Sequence, residues 1–129
     1  MQDDLLKLKV DCVTPEKLEL SLCSTSKNSA LDLDFCSVGV FEKQLLGIMS
    51  VYKSRLPACI MLSLRPVRFI DSEGLLFCMQ MHTLFQEKGC WLVFSDVHLD
   101  VLRLFKMTGM DRNMVEVSGI EPLSKITCP

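Results

Sequence analysis

With 129 residues, 49% hydrophobic and 23% charged, the chain has the size and composition of one folded domain around one core, and is far from the polar make-up of a disordered segment. Its 14 Lys and Arg against 16 Asp and Glu give a net charge of -2 with no basic stripe, which argues against DNA or RNA as a partner. The 7 cysteines are odd in number and no two have Cys-x-x-Cys spacing, so they read as small hydrophobes in a reducing compartment rather than as zinc ligands or a redox pair.

The amino terminus, MQDDLLKLKV, carries acidic residues where an export signal needs basic ones, and no apolar run reaches the roughly 20 residues of a membrane-spanning helix. A cytoplasmic, soluble protein is the expectation. Leu6, Leu8, Val10 and Cys12 alternate with Lys7, Lys9 and Asp11 in the two-residue period of a strand with one wet face. Thr14-Pro15-Glu16-Lys17 reads as a turn, and Leu18, Leu20 and Leu22 resume the alternation, so a hairpin is predicted. After the polar connection Ser24 to Ser29, a short alternation passes into helical spacing through Phe41, Leu45, Met49 and Tyr52, predicting a helix from about Val38 to Lys53.

Ala58 to Leu64 is a nearly continuous apolar run, the mark of a central strand covered on both faces. Asp71-Ser72-Glu73-Gly74 then reads as a capped helix start, with Leu75, Met79, His82 and Phe85 at helical spacing up to Lys88-Gly89. Trp91 to Phe94 is a second buried strand and Asp96 to Met107 a second helix, through Val97, Leu99, Leu102 and Phe105. Such alternation implies parallel pairing. Met114 to Val117 reads as a last strand, and the tail from Ser118 to Pro129 carries no strong pattern. The expected fold is α/β: a mixed sheet of four or five strands with Ala58 to Leu64 and Trp91 to Phe94 inside, and helices mainly on one face. Leu62, Leu76 or its neighbour Leu75, Val93, Leu102 and Phe105 are the expected core.

From Ile60 to Val117 the chain resembles the STAS domain of anti-sigma-factor antagonists. The buried strand Ile60 to Leu64, the motif Phe69-Ile70-Asp71-Ser72, Gly74-Leu75, the strand Gly89 to Phe94, the helix Leu99 to Met107 and the turn Thr108-Gly109-Met110 match the family in order and spacing. Residues 1–117 are the expected STAS-like domain and 118–129 its tail. The first half resembles the family less: the usual Gly-x-apolar-Asp turn has only Leu31-Asp32-Leu33-Asp34 as its equivalent, without the glycine.

The resemblance implies a binding module rather than an enzyme, with no cofactor and no metal. Its partner would be an anti-sigma factor that is also a serine kinase, with a phosphatase as a second partner if the switch is reset. By position, the phosphoacceptor would be Ser72, and Asp71, Ser72, Glu73 and Gly74 would form the docking surface. A helix N-terminus, with its unpaired N–H groups and positive dipole end, suits a phosphate. Phosphorylation would add about -1.5 to -2 charges to a surface made for a neutral hydroxyl. The bland alternative is that Asp71 or Ser72 only caps the helix, a contribution of ~1 kcal/mol. Glu73 departs from the small serine or threonine usual in the family; it either stabilises the helix start or places a standing charge on the docking surface. Gly74 reflects either close approach of a partner backbone or a tight first turn.

An alternative within the same fold is an accessory subunit of a membrane lipid-transport ATPase that binds without being phosphorylated. A cysteine enzyme is the remaining rival, but no basic residue is placed to lower the Cys78 pKa. His82 and His98 stand outside any local metal-ligand spacing and read as surface or partly packed histidines.

Overall fold

A computed structural model describes residues 6–25, 30–52, 56–109 and 115–117, the last three through their backbone alone. The amino-terminal alternation becomes an antiparallel hairpin of β1 (Leu6–Val13) and β2 (Lys17–Ser24). Thr14 closes it, its N–H and hydroxyl both donating to the Lys17 carbonyl at 2.8 and 3.1 Å. The predicted alternation of β1 holds only at first: Leu6 and Leu8 are buried, but every residue from Lys9 to Val13 is exposed, and the pairing with β2 slips at a bulge between Val10 and Cys12.

Chain order continues through β3 (Leu31–Leu33), α1 (Val38–Val51), β4 (Cys59–Ser63), β5 (Val67–Ile70), α2 (Ser72–Glu87), β6 (Trp91–Val97), α3 (Leu99–Met107) and β7 (Val115–Val117). The main sheet runs β1-β2-β4-β6-β7, with every pairing after the hairpin parallel. As expected, β4 and β6 lie inside it. A second, two-stranded parallel sheet joins β3 to β5.

Leu20 and Leu22, Ile60 and Leu62, and Leu92 and Phe94 form the sheet side of the main core. Phe41 and Leu45 of α1, Phe77, Cys78 and Phe85 of α2 and Val101, Leu102 and Phe105 of α3 cover them. The other face of β4 and β6 is also dry: Cys59, Met61 and Val93 make a separate buried cluster edged by Trp91. That double burial is why the Ala58 to Leu64 run lacks alternation. Val93 is therefore core, but on the face away from the helices.

Two expectations need correction. Leu76 is 46% exposed, whereas Leu75 is half-buried against the core. The buried stripe of α2 runs through Gly74, Phe77, Cys78, Met81, His82 and Phe85, so the inward face is set by where the β5 turn delivers the helix. The third helix begins at Leu99 rather than Asp96, because β6 extends to Val97 through a bulge opposite β7. Asp96 has a positive φ of 56° there, incompatible with a helical turn. Its carboxylate accepts from the Ser63 hydroxyl at 2.8 Å and lies 3.3 Å from the Arg65 guanidinium, which anchors the bulge to β4. Gly89 and Gly109, at φ 81° and 80°, close α2 and α3 as helix-terminal glycines do. The tail from Ser118 onward, Met110 and Met114 lie outside the described residues.

Candidate functional site

The start of α2 is set by Asp71, whose extended backbone (φ -101°, ψ -175°) ends β5 and whose Oδ1 accepts from the Gly74 N–H at 2.9 Å. That is a side-chain N-cap, and it leaves Ser72 as the first helical residue. The second oxygen, Oδ2, accepts from the Phe35 N–H at 3.3 Å in the turn before α1. The Asp71 N–H in turn donates to the Leu33 carbonyl at 3.1 Å. One residue thus ties the start of α2 to the turn that starts α1.

The α1 turn is built without the glycine that the family usually has. Asp34 Oδ1 accepts from the N–H groups of Cys36 and Ser37 at 3.0 and 3.2 Å, and the Ser37 hydroxyl donates to the Asp32 carbonyl at 2.7 Å. These local bonds take over the shaping of the turn. They hold Phe35, 73% exposed, beside the Asp71 turn. Phe69, on β5 two residues before Asp71, is also half-exposed. Phe69 enters the sequence reading only as the first residue of the Phe69-Ile70-Asp71-Ser72 motif and Phe35 not at all, since a single exposed ring leaves no periodic trace.

Ser72 and Glu73 are exposed, as expected for a helix start facing solvent. Gly74 is not: it is buried, and a β-carbon there would overlap the Leu33 carbonyl oxygen and come within 2.8 Å of Ile70 Cγ1. The close approach is to the chain's own β3, so Gly74 is not on the exposed surface at the start of α2, where it was expected, and is instead the residue that lets α2 start flush against β3. The exposed surface is Ser72 and Glu73, flanked by Phe35 and backed by the Asp71 carboxylate.

Other candidates fall away on their geometry. Cys78 is fully buried, and burial pushes its thiol well above the ordinary value, the reverse of a reactive thiolate. His82 is buried rather than on the surface, its Nδ1 3.0 Å from the Leu92 carbonyl and its ring edge-on to Trp91. His98 places Nε2 2.8 Å from the Arg65 carbonyl. Among the described residues no group of three His, Cys, Asp or Glu is placed to hold a metal, and no helix is long and apolar enough to cross a membrane.

The STAS domain profile matches residues 14–123. The chain belongs to the STAS domain family. Among curated proteins none matches it. Among solved structures, the STAS chain is similar to the anti-sigma factor antagonist SpoIIAA in its unphosphorylated form, at TM-score 0.62 and 14% identity over 88% of this chain and 90% of that one. The phosphorylated form of SpoIIAA, the Bacillus cell fate determinant, gives 0.60 and 11% identity over 94% and 100%. The murine Slc26a9 anion transporter in its inward-facing state gives 0.58 and 15% over 70% of this chain, which spans only 13% of the transporter's length. At such identities these likenesses establish the STAS fold, a mixed sheet with its helices, and no more.

Proposed function

We propose that this STAS domain is an anti-sigma-factor antagonist: a non-catalytic, cytoplasmic binding module that docks on a serine-kinase anti-sigma factor through the start of α2 and is switched off by phosphorylation at Ser72. The observation that carries the reading is an exposed serine at the first position of α2, on a turn held by both oxygens of Asp71. The adjoining surface, with Phe35 and Phe69 exposed, suits burial against a protein. A phosphate at Ser72 would sit near the helix's unpaired N–H groups, yet its two charges would have to be desolvated in any interface over the site. Docking and modification therefore compete. A phosphatase would return the protein to its binding form.

Glu73 favours a second reading, in which the module is an accessory subunit of a membrane lipid-transport ATPase and is never phosphorylated. Its exposed carboxylate beside Ser72 already carries charge where a switch would add it. The likeness to a STAS domain carried by a transporter is compatible with this. Capture of the partner from native cells, followed by incubation with radiolabelled ATP, separates the two. Label entering wild type but not Ser72→Ala supports the switch. A captured ATPase with no label entering the domain supports the accessory subunit.

A further inference from the structure

The sheet face turned away from the helices changes character towards the carboxyl ends of its parallel strands. Along β4 and β6 the paired rows are Cys59 with Trp91, Met61 with Val93, and then Ser63 with Ser95. On β2 the partner of Ser63 is Ser21. Three serines thus stand in one row across three adjacent strands, directly beyond the dry cluster of Met61 and Val93. A cavity of about 290 Å³ opens over that row. Its size is near the lower end of small-molecule sites, roughly 300–1,000 Å³.

Two of the three hydroxyls are uncommitted. Ser63 donates to Asp96 Oδ2 at 2.8 Å and accepts from the backbone N–H of Arg65 at 3.3 Å. Among the described residues, however, neither the Ser21 nor the Ser95 hydroxyl has a hydrogen-bond partner. Ser95 is only 6% exposed and lines the cavity, and a polar group that deeply placed is ordinarily paired. Its partner has to come from whatever occupies the cavity.

Charge selects the class of occupant. Asp11, Glu19 and Asp96 line the space against a single guanidinium, that of Arg65, so an anion is disfavoured. A cation has little to gain either, because each carboxylate already lies by a basic group: Lys9 at 3.9 Å from Asp11, Lys17 at 3.2 Å from Glu19 and Arg65 at 3.3 Å from Asp96. What remains open is two hydroxyls that both donate and accept, carboxylate oxygens that accept, and the Met61 thioether as an apolar floor. A neutral molecule with several hydroxyls on a short carbon frame satisfies all three. Neighbouring strands lie about 4.8 Å apart, which sets Ser21 and Ser95 about 10 Å from each other. Hydrogen bonds of about 2.8 Å at each end leave about 4 Å between two ligand oxygens, the spacing of hydroxyls on non-adjacent carbons of one small molecule.

We propose that this cavity binds a small neutral polyhydroxylated molecule, a single sugar ring or a polyol, held between the Ser21 and Ser95 hydroxyls and oriented by the Asp96 carboxylate. Ser63 and Arg65 fix that carboxylate before any ligand arrives, so little ordering is left for binding to supply. The site lies on the sheet face opposite α2 and does not depend on the reading of Ser72 as a docking residue.

The test is a nitrogen-edited NMR titration of the full chain with D-ribose, D-glucose and myo-inositol in turn, and with putrescine and inorganic phosphate as charged controls. Wild type, Ser95→Ala and Ser21→Ala are compared. At least one of the three polyols should shift the amide signals of Ser21, Ser63, Ser95 and Asp96 along a saturating curve. Each alanine variant should weaken that affinity by on the order of tenfold, the loss of one hydrogen bond. Ser21 is half-buried, so Ser21→Ala decides the matter if Ser95→Ala folds poorly. The proposal is overturned if no polyol gives a saturating shift, which would leave the cavity to water alone. It is equally overturned if the folded alanine variants bind as wild type does, or if putrescine or phosphate saturates the same signals more tightly than every polyol.

Discussion

Replacing Gly74 with Ala should destabilise the domain, although helix propensity alone gives the opposite sign. In a helix interior Ala is better than Gly by up to about 1 kcal/mol. At Gly74, however, the new β-carbon would overlap the Leu33 carbonyl and crowd Ile70 Cγ1 at 2.8 Å. The first of these is backbone, and it already accepts the Asp71 N–H at 3.1 Å. Relief requires α2 to lift from β3, which strains that hydrogen bond, a contribution of about 0.5–1.5 kcal/mol. Overpacking a well-filled site adds about 1–3 kcal/mol. Set against the propensity gain, the net loss should be about 1–3 kcal/mol. Gly47 of α1 is the control: a β-carbon there meets nothing within 4 Å, so Gly47→Ala should stabilise by about 0.5–1 kcal/mol. Urea unfolding followed by circular dichroism measures both. If Gly74→Ala is as stable as Gly47→Ala, the contact between α2 and β3 does not have the tightness described, and Gly74 is an ordinary helical residue.

For Ser72, the expected pattern in a binding assay with the captured partner is that Ser72→Ala keeps affinity and Ser72→Asp loses it; a kinase that labels Ser72→Ala as fast as wild type rules the serine out. Glu73→Ser should tighten docking more at low salt than at high salt if the carboxylate repels the partner, and equal affinities across the salt range would leave Glu73 as a helix-stabilising residue only. Leu62→Ala removes a fully buried side chain from the central strand and should cost about 2–5 kcal/mol in the same unfolding assay, against no measurable change if the strand were peripheral. Cys78 should resist alkylation in the native protein while exposed Cys12 and Cys36 react, as read by mass spectrometry of labelled peptides. Because burial raises the Cys78 pKa above its ordinary value of 9.0, the thiol contributes full stability below that pH and loses it progressively as the unfolded chain ionises above it. Cys78→Ala should flatten that alkaline decline, and an unchanged slope would exclude this origin.

The parts of the fold that could be read in the sequence are those where one periodicity meets one environment. Leu18, Leu20 and Leu22 alternate because the wet side of β2 carries Lys17, Glu19 and Ser21, and the run from Cys59 to Leu62 is unbroken because both faces of β4 are covered. Asp71 and Ser72 were legible because a cap needs a particular side chain at a particular place. The failures have physical causes of the same local kind. A three-residue strand such as Leu31–Leu33 is too short for its alternation to stand out, and β5 places Phe69 outward, which mimics a loop. The extension of β6 through Asp96 was hidden because Asp before an amphipathic run imitates a helix cap. Gly74 lay beyond reach for a different reason: its neighbour, the Leu33 carbonyl, is 41 residues away and has no side-chain identity.

The bond from Phe35 N–H to Asp71 Oδ2 spans 36 residues of sequence. An enzyme or receptor that recognises the surface at Ser72 therefore meets a composite epitope, assembled from two remote stretches and existing only while β3 and β5 remain side by side. A synthetic peptide copying residues 66–80 would carry the serine and its capping aspartate but none of the flanking aromatic, and would present the hydroxyl on a helix too short to hold its shape in water. If the Ser72 surface docks a partner as proposed, recognition would be of a conformation, and the site would proofread itself: a chain that has not completed its fold would have nothing to offer.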